Sequence, residues 1–244
     1  MNIDNEIIKR VFSRRQHDLL TKIFERDGLD KNSRVLCSLA YLQAEADWIN
    51  LEKLIDICLE TEGDFMQTYE VLLQGYLFCG YPRAIESFFC LKEAMQKNRK
   101  PETRKLEPVI LAANDILMER GKELSKIVHK DKSGRIIDRI NELCPDLGYL
   151  MIAEGYGHIL CRDGLDTMKR EMAIVASLTS LSASRQLNSH IRGARNVGCR
   201  DDEILEAIIT GFAWIAPEKV RKSAEIWAGI TGSEYPNSID NIIL

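Results

Sequence analysis

The sequence predicts an all-α protein made of two similar halves. Apolar residues recur at three- and four-residue spacing along nearly all of its 244 residues, and only 6 of these are proline. This period is typical of amphipathic helices, whereas the strict alternation of a half-buried strand is nearly absent. In addition, one pentapeptide occurs twice, once in each half. Together these observations predict two tandem, pseudo-symmetric helical bundles.

The periodic segments predict five helices before a central linker, then a connecting helix and six further helices. The polar run from Lys97 to Thr103 predicts the linker, a connecting helix follows it, and the run from His129 to Gly134 predicts a second loop. The predicted helices cover residues 5–25, 31–47, 51–61, 65–80, 82–96, 106–128 (the connecting helix), 136–143, 145–161, 167–182, 185–197, 202–215 and 218–231.

The repeated pentapeptide sets the register between the halves. Arg26-Asp-Gly-Leu-Asp30 recurs letter for letter 136 residues later as Arg162-Asp-Gly-Leu-Asp166. The glycine is suited to end one helix in a left-handed conformation, and the second aspartate to cap the next helix. Without a gap, the same shift pairs Arg34 with Arg170, Ala40 with Ala176, Leu51 with Leu187, Glu70 with Glu206 and Gly75 with Gly211. We therefore expect a first repeat at residues 1–97, a linker and connecting helix at 98–134, and a second repeat at 135–244.

Composition excludes several classes of function. The formal charge of −4 offers no overall attraction to nucleic acid, and one basic stripe (Arg185, Arg192, Arg195, Arg200) is expected to be a solvated face. The chain shows neither an N-terminal signal pattern nor an apolar run long enough to cross a membrane, which predicts a cytoplasmic protein. Its seven cysteines form no Cys-x-x-Cys pair and its four histidines are far apart. Reduced thiols, no metal and no cofactor are therefore expected.

Comparing the halves singles out two polar residues. Glu171 aligns with Val35 and His190 with Leu54, and both polar residues lie on the apolar stripes of their predicted helices. A buried carboxylate beside an imidazole is suited to acid/base catalysis. The same arrangement also suits a structural ion pair, and the residues alone leave both interpretations open.

A longer pattern in the second half resembles the carboxymuconolactone decarboxylase family over about eighty residues. It consists of Pro145-Asp-Leu-Gly148, Tyr156-Gly-His158, the run from Arg162 to Glu171, the run from Gln186 to Gly198, and Glu203-Ile-Leu-Glu206. The first half resembles the same domain more weakly, through residues 26–34 and 70–84, and lacks the glutamate and histidine. The whole chain is thus similar to tandem members of the alkylhydroperoxidase-D-like superfamily.

The resemblance implies one of two chemistries. The peroxidase branch uses two cysteines on the helix of the histidine, but the corresponding residues here are Ala183 and Gln186, and Cys199 in a predicted loop has no partner cysteine. The decarboxylase branch needs no thiol. It implies His190 as the acid and Glu171 as its partner, acting on a small carboxylated or lactone substrate. The substrate-binding candidates are Arg170, Arg192 and His158.

The remaining expectations concern assembly and alternatives. Single-domain relatives form rings, so the resemblance implies a homo-oligomer, for example a trimer with pseudo-sixfold character. Phe78 and Trp214 occupy equivalent positions and are expected to be core aromatics, whereas His17 and His129 lie among polar residues and receive no role. The leading prediction is a decarboxylase-like lyase with one working site per chain. A non-catalytic oligomeric binding module comes second, and a peroxidase or disulfide reductase comes third.

Overall fold

The computed structural model describes residues 5–61, 64–98 and 113–235, and these are helical without any β-strand. The predicted all-α class is therefore confirmed. The first half contains α1 (Asn5–Val11), α2 (Arg14–Phe24), α3 (Lys31–Glu45), α4 (Trp48–Glu60), α5 (Phe65–Gln74), α6 (Tyr76–Cys79) and α7 (Tyr81–Lys97). The remainder contains α8 (Asn114–His129), α9 (Ser133–Leu143), α10 (Pro145–Leu150), α11 (Thr167–Ser180), α12 (Ser184–Asn196), α13 (Asp201–Ile209) and α14 (Pro217–Thr231).

Three shorter helical segments complete the chain: 3₁₀ turns at Lys130–Lys132 and Thr210–Ala213, and a π-helix at Met151–Leu160 that continues α10. Two sequence predictions were wrong in detail. The helix predicted over 5–25 is broken at Ser13, whose extended backbone starts α2, as serine favours helix caps over helix interiors. The loop predicted at 129–134 is mostly helical. Residues 99–103 of the linker and 106–112 of the connecting helix lie outside the described residues.

The repeated pentapeptide behaves as its composition predicts. Gly28 and Gly164 have φ angles of 92° and 94°, the left-handed region in which glycine meets no steric penalty. Asp30 then accepts a hydrogen bond from the Ser33 amide at 3.0 Å. Asp166 accepts the equivalent bond from the Lys169 amide at 2.9 Å. Each pentapeptide therefore ends one helical segment and caps the next.

Two clusters of ion pairs join the halves. The first cluster is centred on Glu206 of α13. Its carboxylate accepts Arg26 Nη2 at 2.6 Å and lies 2.9 Å from Arg34 Nη2. Both arginines belong to the first half, and the Arg34 side chain is fully buried. A single carboxylate thus neutralises two cations from the opposite half.

The second cluster of ion pairs is centred on Glu70 of α5, which lies 136 residues before Glu206. Its carboxylate binds Arg162 Nη2 at 2.8 Å and Arg170 Nη2 at 2.8 Å. Both arginines belong to the second half, and Glu70 is fully buried. The two ion-pair clusters therefore use equivalent residues with the halves exchanged.

Between these clusters the halves share one hydrophobic core. The central helices α3 and α11 pack against each other, and the buried apolar residues of both halves form a single continuous cluster. The Tyr41 hydroxyl crosses this boundary and donates to the Ile208 carbonyl at 3.2 Å. On the outside, α8 packs along the π-helix and against α12. This packing brings α8, α11, α12 and the π-helix to one place.

Glu70 is expected to be essential for stability because it neutralises two cations of the other half. Changing Glu70→Gln leaves the buried Arg170 and its neighbour Arg162 without a counter-charge, a loss of roughly 3–5 kcal/mol in the free energy of unfolding. Urea unfolding measures it. The matched control is Glu60→Gln, which breaks an exposed ion pair with Arg10 and should cost less than about 1 kcal/mol. Equal losses in the two variants would contradict the assignment.

Candidate functional site

The two polar residues singled out by the sequence are in direct contact. Glu171 on α11 and His190 on α12 lie with Oε2 and Nδ1 3.0 Å apart. Glu171 is 2% exposed and His190 is 7% exposed, so the contact is shielded from solvent. At this distance the imidazole donates its Nδ1 hydrogen to the carboxylate. The structure therefore brings the pair together from adjacent helices.

Gly193 makes room for this contact. It lies nearly one turn after His190 on α12, and a Cβ there would stand 2.8 Å from Glu171 Oε2 and 2.8 Å from Val128 Cγ1. Any larger residue would push the carboxylate or α8 away from α12. The glycine thus permits the close approach of three helices around the carboxylate.

The structure adds His129 and Tyr156 to the site. His129 Nε2 lies 2.6 Å from the Tyr156 hydroxyl, and both residues are buried. Sequence reasoning placed His129 in a polar loop, and this placement was wrong: it is the last residue of α8 and is buried. A bond from Asn196 Nδ2 to the Val128 carbonyl, at 2.8 Å, ties this end of α8 to α12.

The electrostatics of this second pair differ from those of free side chains. Burial, reinforced by the neighbouring His190, lowers the pKa of His129 from 6.5 to about 4. Burial, reinforced by the charge of Glu171, raises the pKa of the Tyr156 phenol. His129 is therefore a neutral imidazole at neutral pH, and Tyr156 a neutral phenol.

Aromatic rings surround His190. Its ring centroid lies 6.3 Å from that of His129, and 5.7 Å from that of Phe78 at an interplanar angle of 86°. Phe78 comes from α6, so the first half supplies one wall of the site. The equivalent Trp214 instead packs against Phe12, with ring centroids 5.9 Å apart. Both aromatics are partly buried and pack against the core, and the prediction omitted the contact of Phe78 with His190.

Three polar residues of the site have an equivalent position in the first half. At each of these positions the first half has an apolar residue. Glu171 corresponds to Val35, His190 to Leu54 and Tyr156 to Leu20. These three apolar residues are buried in the core. The same internal comparison would have found Tyr156. The comparison does not extend to His129, since the 136-residue shift pairs it with none of residues 1–244.

The arginines proposed as substrate anchors lie away from the pair. The buried Arg170 guanidinium donates to Glu70 at 2.8 Å, to the Leu165 carbonyl at 3.1 Å and to Gln74 at 3.2 Å. Arg192 donates to Asn188 Oδ1 at 3.2 Å. It also stands about 200° around α12 from His190. Neither guanidinium adjoins the glutamate and histidine.

His158 lines a separate surface cleft. The cleft has a volume of about 410 Å³, and neither Glu171 nor His190 is among its lining residues. These are Met66, Glu70, Leu117, Arg120, Gly157, His158, Cys161, Arg162, Asp163 and Gly164. Although His158 and Tyr156 belong to the same π-helix, one lines this cleft and the other binds His129.

Cys199 is unsuited to act as a nucleophile. Cys199 is buried in the loop after α12, and its pKa is raised to about 12, chiefly by burial and then by the carboxylate of Glu203. A reactive thiol needs the opposite shift. Ala183 and Gln186 flank the start of α12, where the peroxidase branch has its cysteines.

Residues 5–61, 64–98 and 113–235 contain no group of three or more His, Cys, Asp or Glu side chains able to hold a metal ion. Within the same ranges, no helix has both the length and the apolar character that a membrane crossing requires. In the basic stripe, Arg195 and Arg200 are solvent-accessible and paired with Asp201 and Asp202.

An all-α fold with a buried glutamate–histidine pair on adjacent helices defines the class of domain. Residues 145–228 match the family model described as the carboxymuconolactone decarboxylase family. This stretch runs from the start of α10 into α14 and contains both Glu171 and His190. This match confirms the family resemblance predicted for the segment.

The chain is also similar to Peroxisomal protein 2 of Saccharomyces cerevisiae. The two sequences are 29% identical over 161 residues, which make up 57% of this chain and 56% of the yeast protein. The match thus spans little more than half the length of that relative. This similarity identifies the yeast protein as a relative of this chain.

The neutral state of His129 predicts a loss of stability in acid. Between pH 6.5 and 4 the unfolded chain protonates this imidazole and the folded chain does not, so stability falls as the pH decreases. A His129→Gln variant lacks this titration, and its loss between neutral pH and pH 4 should be smaller by at most about 3 kcal/mol. Urea unfolding across this pH range measures both chains.

Tyr156→Phe is the matched control for this measurement. It removes the hydrogen bond and keeps the buried imidazole, so it should lower stability at every pH and preserve the wild-type slope. Identical slopes for the wild type and His129→Gln would show that His129 does not titrate in this way.

Proposed function

We propose that this chain is a carboxymuconolactone-decarboxylase-like acid/base enzyme, a lyase that acts on a small carboxylated or lactone metabolite. The observation that carries the proposal is the 3.0 Å contact between Glu171 and His190, at positions where the first half has a core valine and leucine. A buried polar pair is costly compared with apolar packing, so its presence in only one half favours a chemical role. The family match over 145–228 supports the same class.

In the proposed reaction, His190 transfers the proton. Loss of carbon dioxide leaves an electron pair on carbon, and an acid must protonate that carbon. The imidazolium form of His190 supplies this proton from Nε2, while Glu171 holds Nδ1 and stabilises the positive charge. We leave Arg170, Arg192 and His158 out of the reaction, because their contacts lie elsewhere.

Substituting either member of the pair should reduce turnover far more than it reduces the fraction of folded protein. For Glu171→Gln and His190→Gln we expect carbon dioxide release from carboxylated butenolides to fall about 10²- to 10⁴-fold. The control is Arg195→Gln, on another face of α12, which should retain wild-type turnover. Thermal unfolding of each variant is measured in parallel. Turnover that falls only in proportion to the folded fraction would contradict the proposal.

A non-catalytic binding module is the second candidate. The observation that favours it is the burial of both members of the pair, which leaves them mutually satisfied without a ligand. If the pair is only structural, substituting Glu171 or His190 should destabilise the protein. Neither the wild type nor the variants should then show turnover. A thiol peroxidase is less favoured because Cys199 is held as a thiol, and it is excluded if activity survives blocking of all cysteines.

We also propose the tandem arrangement of a first repeat at 1–97, a connecting segment at 98–134 and a second repeat at 135–244. The reciprocal ion pairs of Glu70 and Glu206 support it, as do the equivalent φ angles of Gly28 and Gly164. Because both repeats contribute to one continuous core, neither is expected to fold alone.

Self-association is part of the proposal. Tyr81, Ile85 and Phe89 form an exposed apolar stripe along α7, with exposed fractions of 63%, 53% and 53%. Such stripes are typical of surfaces covered in an assembly. Analytical ultracentrifugation should show a species larger than the 27.8 kDa chain, and a single species of that mass would contradict the proposal.

The sequence predicts a cytoplasmic location, whereas the name of the yeast relative refers to peroxisomes. We keep the cytoplasm as the proposed location. Imaging of the full chain fused to a fluorescent protein would overturn it by showing punctate signal that coincides with a peroxisomal marker.

A further inference from the structure

The cleft that His158 lines is built by three parts of the chain. Its volume is about 410 Å³, and its walls come from α5 of the first half, from α8, and from the π-helix with the pentapeptide loop that follows it. Gly164 lets α5 approach this loop, because a Cβ there would stand only 3.3 Å from Glu70 Cγ. A space of this size accommodates a small metabolite.

Apolar side chains form part of the wall. Met66 of α5 and Leu117 of α8 line the cleft together with Gly157 of the π-helix. Gly157 permits the backbones of the π-helix and α8 to touch, since a Cβ there would stand 1.9 Å from the Leu117 carbonyl oxygen. These walls are suited to the hydrocarbon part of a ligand, which the polar groups of the cleft then orient.

Three side chains of the cleft have hydrogen-bond donors to spare. Arg120 is exposed, and in the described part of the chain its guanidinium has neither a hydrogen-bond nor an ion-pair partner. Arg162 binds Glu70 through Nε and Nη2, which leaves Nη1 unused among the same residues. His158 has no hydrogen-bonded partner there either. Burial, and then the charge of Arg162, lowers the pKa of His158, so at neutral pH it is a neutral N–H donor.

The carboxylates of the cleft do not cancel its cations. Glu70 lies 2.8 Å from both Arg162 and Arg170, so one buried negative charge faces two positive ones. Asp163, which is exposed, is the other carboxylate that lines the cleft. Together with Arg120 these groups carry three positive charges against two negative ones. The excess of positive charge favours an anionic ligand.

The equivalent region beside the first pentapeptide is filled by the protein itself. The 136-residue shift pairs Met66 with Asp202 and Gly164 with Gly28. Asp202 Oδ2 would lie 3.9 Å from a Cβ on Gly28. Arg200 donates to Asp202 Oδ1 at 3.0 Å and to the Gly28 carbonyl at 3.3 Å. A carboxylate held by an arginine therefore stands beside the first pentapeptide, where the second has a methionine and open space.

We propose that this cleft binds a small carboxylic acid with an apolar body. The carboxylate accepts hydrogen bonds from Arg120, Arg162 Nη1 and His158, and the hydrocarbon part lies against the methionine and the leucine of the wall. The proposed acid/base pair does not line the cleft. The inference is therefore independent of the proposed lyase function and adds a second binding site to the chain.

Binding of benzoate to the full chain, measured by calorimetry, tests the site. Arg120→Gln removes a charged donor that has no partner among the described residues, so the protein should keep its stability while the Kd rises about tenfold or more. The matched control is Lys122→Gln, which removes the same charge from another face of α8 and should bind benzoate like the wild type. Equal Kd values in wild type and Arg120→Gln, or no benzoate binding to either protein, would overturn the inference.

Two further ligands test the class of molecule. Benzyl alcohol has the same ring without the charge, and inorganic phosphate has a charge without an apolar body. Both should bind much more weakly than benzoate. Benzyl alcohol that binds equally well overturns the role of the cations, and phosphate that binds equally well overturns the role of the apolar walls.

Cys161 provides a second readout of the same site. Its thiol is exposed and lines the cleft, whereas Cys144 is half-buried and does not. At a benzoate concentration ten times its Kd, alkylation of Cys161 by iodoacetamide should slow about tenfold, and that of Cys144 should not change. Mass spectrometry after cleavage at glutamate follows the two thiols on separate peptides. Unchanged alkylation of Cys161, or equal slowing at both thiols, would contradict binding in the cleft.

Glu171→Gln separates the cleft from the acid/base pair. Benzoate binding that is weakened in Arg120→Gln and unchanged in Glu171→Gln supports the second site, whether or not the protein releases carbon dioxide from any substrate. The reverse pattern means that benzoate binds at the pair, and it overturns the inference without affecting the proposed lyase function.

Discussion

The exchange of ion pairs between the halves is the constraint on which the rest of the structure depends. Glu70 and Glu206 each neutralise two arginines of the opposite half, beside the central packing of α3 against α11. Buried arginines without these carboxylates would face a large desolvation cost. Because α11 also carries Glu171, the residue next to Arg170, the interaction that joins the halves fixes the helix that carries the glutamate of the proposed acid/base pair.

The two halves share this packing but differ in the polarity of a few equivalent buried residues. The first half is filled by Leu20, Val35 and Leu54, and the second has Tyr156, Glu171 and His190 at the same positions. Four polar side chains around two hydrogen bonds replace simple apolar packing there. Such a cluster needs every partner present, and α8 supplies one of them, His129.

The sequence was sufficient for the fold class, the helix stops at both pentapeptides and the selection of Glu171 and His190, because each depends on local pattern or on comparison of the halves. It did not show that these two side chains are in contact. It was insufficient for His129, whose burial depends on how α8 packs against the π-helix and α12. It also favoured Arg170 as an anchor, since a single charged residue beside Glu171 gives no sign of the buried carboxylate 100 positions earlier in the chain. Long-range charge pairing is the information that a linear pattern lacks.

Gly193 has a counterpart that makes the difference between the halves hard to reverse. The 136-residue shift pairs it with Ile57, a fully buried residue on α4. In the first half an isoleucine side chain thus stands at the position where the second half has none. Val35→Glu or Leu54→His alone would therefore place a polar group in an apolar core. Under the proposed function, a second site in the first half would need several substitutions together, whereas a single one is enough to disrupt the existing pair.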